Sequence, residues 1–236
     1  MSGWQASIPN GPILAIALTL AAYLGGVRLF ERLGRPSWCP AVLIGALLIA
    51  TGLWLLGIPY RDYQRDIVWL TLLLGPATVA LAVPLYQQRQ SIFALWKPIL
   101  CCLPLAAALA ACYAVAIAWL LGAPPAVLAS LAPKSVTAPL AIGIQEQIGG
   151  SLSLMLGGLL ITGVMATLFV SWLARLLGIR DPRLIGFTLG VNGHAIGTVR
   201  AFELGPTAGA FASLGMSLTG VFTALFLPLV WRLFGA

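Results

Sequence analysis

The feature that most limits what this chain can fold into is a succession of apolar stretches, each near twenty residues long, joined by short polar breaks. A helix needs about 20 mainly apolar residues to cross the hydrocarbon of a bilayer, and such stretches follow one another at 12 to 30, 38 to 57, 67 to 86, 98 to 121, 152 to 174, 184 to 203 and 207 to 230. A chain that is 60% hydrophobic and only 8% charged does not fit a soluble globular class. The solvent is lipid, and no soluble domain remains to be assigned. The expected architecture is an all-α membrane protein, a multi-span helical bundle forming one transmembrane domain over residues 1–236.

Residues 126 to 148 break the pattern. Pro133, Lys134, Pro139, Gly143 and Glu146 make this segment too polar and too broken for a lipid-facing helix. The positive charges suggest how it sits. The net charge of +7 comes from Lys and Arg that lie mostly between apolar stretches, where they read as a topology signal; no basic run interleaved with aromatics suggests nucleic-acid binding. If Arg28, Arg32, Arg35, Arg89, Lys97, Arg175, Arg180, Arg183 and Arg232 all face the cytoplasm, the N-terminus lies outside and the C-terminus inside. Residues 126 to 148 must then enter and leave on one side as a re-entrant hairpin, giving seven spans plus that hairpin. The Arg61 and Arg65 loop falls outside on this reading, accompanied by Asp62 and Asp66. No basic residue precedes the first apolar run, so that run is expected to be a retained helix. Trp4, Trp38, Trp54, Trp96, Trp172 and Trp231 fall near span ends, as interface belts do. Cys39, Cys101, Cys102 and Cys112 lack metal spacing and read as reduced, small apolar residues.

An internal repeat is suggested by Leu74-Gly75-Pro76-Ala77-Thr78-Val79 beside Leu131-Ala132-Pro133-Lys134-Ser135-Val136, and by Leu74-Gly75 beside Leu189-Gly190, 115 residues on. Many transporters pair interrupted helices from two repeats around one midplane site. Chance similarity in so uniform a composition explains the matches equally well.

An ionisable group inside a span costs about 2.5 kcal/mol or more, so each is a candidate for function. In the stretch Gly190 to Arg200, glycines flank Asn192, His194, Thr198 and Arg200. If the helix breaks near Asn192 and Gly193, the following half-helix points free N–H groups and its positive dipole end into the bilayer, which suits an anion. His194 and Thr198 would share one face, and Arg200 could grip a carboxylate with both arms of its fork. The alternative is that Arg200 pairs with Glu203, that the glycines serve packing, and that His194 is a hydrogen-bonded core residue. Lys134, Ser135 and Thr137, held between two prolines, would line the path; alternatively Lys134 snorkels to headgroups from a surface loop. Thr78, between Pro76 and Pro84, is a candidate first-half counterpart. Glu203 and Glu146 are weaker candidates for ion coupling. A lone His indicates no metal site, and no cofactor or enzyme motif is present: there is no G-x-S-x-G, no H-E-x-x-H and no phosphate loop.

The blocks LGPATVALAVPLYQQ (residues 74–88), PKSVTAPLAIGIQEQIGG (133–150) and GHAIGTVRAFE (193–203), followed by Gly209-Ala210-Phe211, resemble the signature blocks of the LrgB/CidB family in the same order. The resemblance implies a multi-pass protein of the bacterial inner membrane that works beside a small LrgA/CidA-type membrane partner, in a family described as holin-like or antiholin-like regulators of murein hydrolase release. It also implies a link to transport of glycolate, glycerate or pyruvate, as for a plant plastid relative in which the two parts are fused. Gly193 stands where Ser is common in the family, Gly143 where larger residues occur, and Ala208 where an acidic residue is often found, which removes that position as a coupling site.

The expected function is therefore a carrier for small monocarboxylates, with Lys134, Ser135, Thr137, Asn192, Gly193, His194, Thr198, Arg200 and Thr78 as substrate-binding candidates. A holin-like regulator acting through assembly is the alternative. The polar residues concentrate in two interrupted segments rather than along every helix, which favours the carrier over a continuous wetted pore. The expected partners are the lipid bilayer, a small anionic substrate, an LrgA/CidA-type protein and further copies of the same chain.

Overall fold

The computed structural model of the protein describes residues 11–36, 39–80 and 82–234, without the side chains of Leu74, Ala77, Thr78, Pro84 and Phe234. The described residues are helical and form two compact units, 1–82 and 83–236. Trp4 and Trp38 lie outside them.

In the first unit, α1 (Pro12–Arg32) packs on α2 (Ala41–Leu56) through small residues. A Cβ on Gly26 would lie 2.8 Å from the Gly45 nitrogen, so only glycine permits this backbone approach, a common device between helices in lipid. Gly57 adopts a left-handed conformation (φ 66°) that ends α2. The chain then bends by 117° into α3 (Tyr60–Asp66), pinned by a 2.8 Å hydrogen bond between Thr19 and Tyr63. The third apolar stretch is not one helix. It is divided into α4 (Val68–Leu72), α5 (Leu74–Ala80) and α6 (Ala82–Gln87), and Pro76 and Pro84, which cannot donate a backbone hydrogen bond, fall within two of these pieces.

The second unit continues from α6 through α7 (Arg89–Ala94), α8 (Trp96–Leu120), α9 (Pro125–Leu131), α10 (Ala138–Ile148), α11 (Leu152–Leu176), α12 (Pro182–Leu204) and α13 (Pro206–Phe234). Its frame is α8, α11 and α13, which with α1 are the four described helices long and apolar enough to cross a membrane; the bent pair α2 and α3 makes up to five. Seven crossings were expected. The shortfall comes from the divided third stretch and from the sixth, which doubles back. The exposed tryptophans Trp54, Trp96 and Trp172 stand near the ends of α2, α8 and α11. Cys101, Cys102 and Cys112 are exposed on α8, and Cys39 is half-buried.

Two helical hairpins fill this frame. In the first, α9 rises, residues 132–137 turn, and α10 returns. The end of α10 closes against α9, where a Cβ on Gly150 would stand 3.2 Å from the Ala126 carbonyl and the Ser151 N–H donates to Ser130 Oγ (2.7 Å). The second lies within α12, whose backbone breaks at His194 (φ 41°, ψ −130°). A Cβ on Gly197 would overlap the Leu189 carbonyl eight residues earlier. In a straight helix those residues stand about 12 Å apart. The arm after His194 therefore folds back on the arm before it.

The hairpins open toward opposite ends of the unit. The 25 residues of α11 span about 37 Å, and α11 leaves the feet of the first hairpin and leads to the feet of the second. α13 runs beside both. A Cβ at Gly186 or Gly190 would overlap the carbonyl of Ala208 or Ala212, whereas Ala224, Leu227 and Trp231 pack on the core of the first hairpin. Arg232, at the far end of α13, is thus at the opposite end from Arg175, Arg180 and Arg183. These charges do not share one face, contrary to the expectation that all mark the cytoplasm.

Candidate functional site

The arms of the second hairpin, on either side of His194, are about twelve and ten residues, or roughly 18 and 15 Å, so its tip reaches about the middle of α11. The tip of the first hairpin comes from the other end. Both touch α11 within a few residues of each other: a Cβ on Gly158 would lie 4.0 Å from Lys134 Cβ, one on Gly163 would lie 3.0 Å from the His194 ring, and His194 Nε2 lies 2.9 Å from the Leu159 carbonyl. The two interrupted segments singled out in the sequence thus both reach the same stretch of α11, between Gly158 and Gly163.

Lys134 is 7% exposed. Its Nζ donates to Tyr113 Oη (2.7 Å) and Ser135 Oγ (3.1 Å) and sits 4.3 Å from the Tyr113 ring centre. Among the described residues no carboxylate pairs with it. An ammonium carries three donors, so one remains. His194 is 1% exposed. A carbonyl only accepts, so the Nε2 facing Leu159 carries the proton, and Nδ1 is left buried without a partner.

Half-helix ends surround these groups. α10 begins after Thr137, whose side chain makes no capping bond, and the second arm of α12 begins after His194. Both direct N-terminal N–H groups at the tips, while α9 and the first arm of α12 end there with their carbonyls. The cluster offers donors and positive potential to an anion, and carbonyls to a cation beside it. From α13, Met216 approaches as acceptor for Thr198 Oγ1 (3.6 Å). One turn on, Thr219 Oγ1 is buried and unpartnered.

The other candidates fall elsewhere or are occupied. Asn192 donates its amide to the Thr188 carbonyl (3.0 Å) and Thr198 donates to the His194 carbonyl (2.8 Å), both within α12. Gly193 is buried against α11, where a Cβ would stand 3.1 Å from Ala166 Cβ. Arg200 does not join Lys134. It pairs with Glu203 at 2.6 Å and lines a cavity with Arg175 and Arg180 at the feet of the second hairpin, because six residues of helix carry it about 9 Å from the break. Glu146 is exposed near the foot of α10. The side chain of Thr78 lies outside the described residues. Tyr113 and Thr219 were missed in the sequence; each is a polar group within an apolar helix, and only the hairpins' fold-back shows which face it takes. At the foot of α12, Asp181 caps the helix by accepting from the Arg183 N–H (2.9 Å), and the Arg183 guanidinium bonded to it holds its carboxyl below the usual range.

The profile of the LrgB-like family matches residues 19–233. The chain belongs to the LrgB-like family. It is similar to the protein YxaC of Bacillus subtilis (36% identity, covering 94% of this chain and 96% of YxaC). It is also similar to the holin-like protein CidB of Staphylococcus aureus (30%, covering 94% and 96%) and of Staphylococcus epidermidis (29%, covering 94% and 96%). No solved structure matches it. The family match spans both units and covers the residues of both hairpins and of α11.

Proposed function

We propose that this LrgB-like protein is an inner-membrane carrier for small monocarboxylates, with its substrate held between the tips of the two hairpins. The observation that carries this is Lys134: a buried cation at a helix break with no carboxylate beside it among the described residues. Burying an unpaired charge is unfavourable by several kcal/mol, roughly, and a substrate carboxylate supplies the missing partner. Ser135, Thr137 and the N–H groups after Gly193 complete the anion shell. His194 Nδ1 accepts a hydrogen bond from a substrate hydroxyl, which favours 2-hydroxy acids such as glycolate, glycerate and lactate over pyruvate. Arg200 and Glu203 form an ion pair outside the tips, and Asn192 and Thr198 hold the hairpin's own backbone.

We read the chain as one transmembrane domain with six crossings, the divided third stretch counting as one, and two re-entrant hairpins entering from opposite faces. With Lys97, Arg175, Arg180 and Arg183 toward the cytoplasm, the C-terminus lies outside, as does the N-terminus. The test is uptake of labelled glycolate, glycerate, lactate and pyruvate into liposomes holding the purified protein, with and without an LrgA/CidA-type partner and with any homo-oligomer preserved. Saturable uptake of at least one acid is expected; its absence with every acid, partner present, would overturn the carrier.

The name of the staphylococcal relatives, holin-like protein CidB, favours a second reading, a regulator of cell lysis acting through assembly. Release of a trapped dye larger than any of these acids from the same liposomes would favour it over the carrier.

A further inference from the structure

We propose a second anion site, separate from the hairpin tips, that binds a phosphate group at the feet of the second hairpin. A cavity of about 370 Å³ there is lined by Arg175 from the end of α11, Arg180 from the connecting loop, and Arg200 from the returning arm of α12. All three arginines border this one space. The one carboxylate paired with any of them among the described residues is Glu203, which takes Arg200 Nη1 and leaves Arg200 Nε buried without a partner. Asp181 is engaged by Arg183, so two positive charges remain uncompensated. Like charges gathered in a cleft repel unless an anion enters. A guanidinium fork matches phosphate oxygens two at a time, and a doubly charged phosphate balances the excess.

Ile185 and Leu204 provide an apolar wall beside the arginines, and the cavity lies at the end of a membrane-length helix. That position suits the headgroup phosphate of an anionic lipid or a soluble phosphate equally. Either would bridge α11, the connecting loop and the returning arm of the hairpin.

The experiment uses the full chain in neutral detergent. One arm measures the melting temperature against added inorganic phosphate, with chloride at equal ionic strength as the reference. The other counts phosphatidylglycerol retained from mixed micelles with phosphatidylcholine, by native mass spectrometry. The test variant is Arg175→Gln with Arg180→Gln; the control, Arg89→Gln with Lys97→Gln, removes the same charge outside the cavity. The proposal expects wild type and control to respond in at least one arm, and the test variant to lose at least fivefold in phosphate affinity or lipid retention. The responding arm identifies the source. No response in either arm, an adventitious ion only with no difference between variants, or equal losses in test and control would overturn it.

Discussion

At the scale of single residues the account turns on Lys134. Removing a buried, unpaired charge relieves desolvation, so Lys134→Met is expected to leave the melting temperature unchanged or higher while abolishing uptake; a large fall in thermal stability would mean that the ammonium is structural. Tyr113→Phe removes one 2.7 Å bond to that ammonium. Hydrogen bonds to charged groups contribute about 1.5–3 kcal/mol, so KM for uptake should rise by about tenfold or more with the protein still folded. Arg200→Ala strands Glu203 in a part-buried site (14% and 23% exposed side chains), and should destabilise by about 1–3 kcal/mol. Adding Glu203→Ala should recover much of that loss in chemical denaturation. Lys134, Ser135 and His194 were legible in the sequence because ionisable and hydroxyl groups stand out in apolar surroundings. The separation of Arg200 was not legible, since residue spacing along a helix says nothing about which way the helix turns after a break.

At the scale of elements the two hairpins are decisive. The sequence marks the first through Pro133 and Pro139, and the break of the second through its glycines and Asn192. What it does not carry is the reversal at His194, which depends on contacts with α11 and α13 rather than on local propensity. Gly190 is the sharpest test of that packing: Gly190→Val would place atoms on the Ala212 carbonyl, and overpacking of this kind costs about 1–3 kcal/mol or more. A lowered melting temperature with loss of uptake is expected; a neutral effect would contradict the close approach. Labelling of single cysteines in a Cys-free chain tests the topology. Ala126→Cys and Ser151→Cys should react from one side of the membrane, and Arg180→Cys and Leu204→Cys from the other. Opposite-side labelling within either pair would remove that hairpin.

At the scale of the molecule, the helical membrane class follows from the apolar stretches, and the family match extends over nearly all of the chain. Arg232 stands at the other end of the second unit from Arg175, Arg180 and Arg183 because the stretch after Arg183 turns back at His194 instead of running straight through. What the second unit builds is a pair of opposed half-helix hairpins meeting on α11, with a cation at one tip and an unpartnered imidazole nitrogen at the other. The central claim is that this meeting point holds a carboxylate. Its most direct test is equilibrium binding of labelled glycolate, glycerate, lactate and pyruvate to purified wild type and Lys134→Met side by side. The account predicts saturable binding to the wild type, stronger for lactate than for pyruvate, and none to the folded variant; equal binding to both proteins would contradict it.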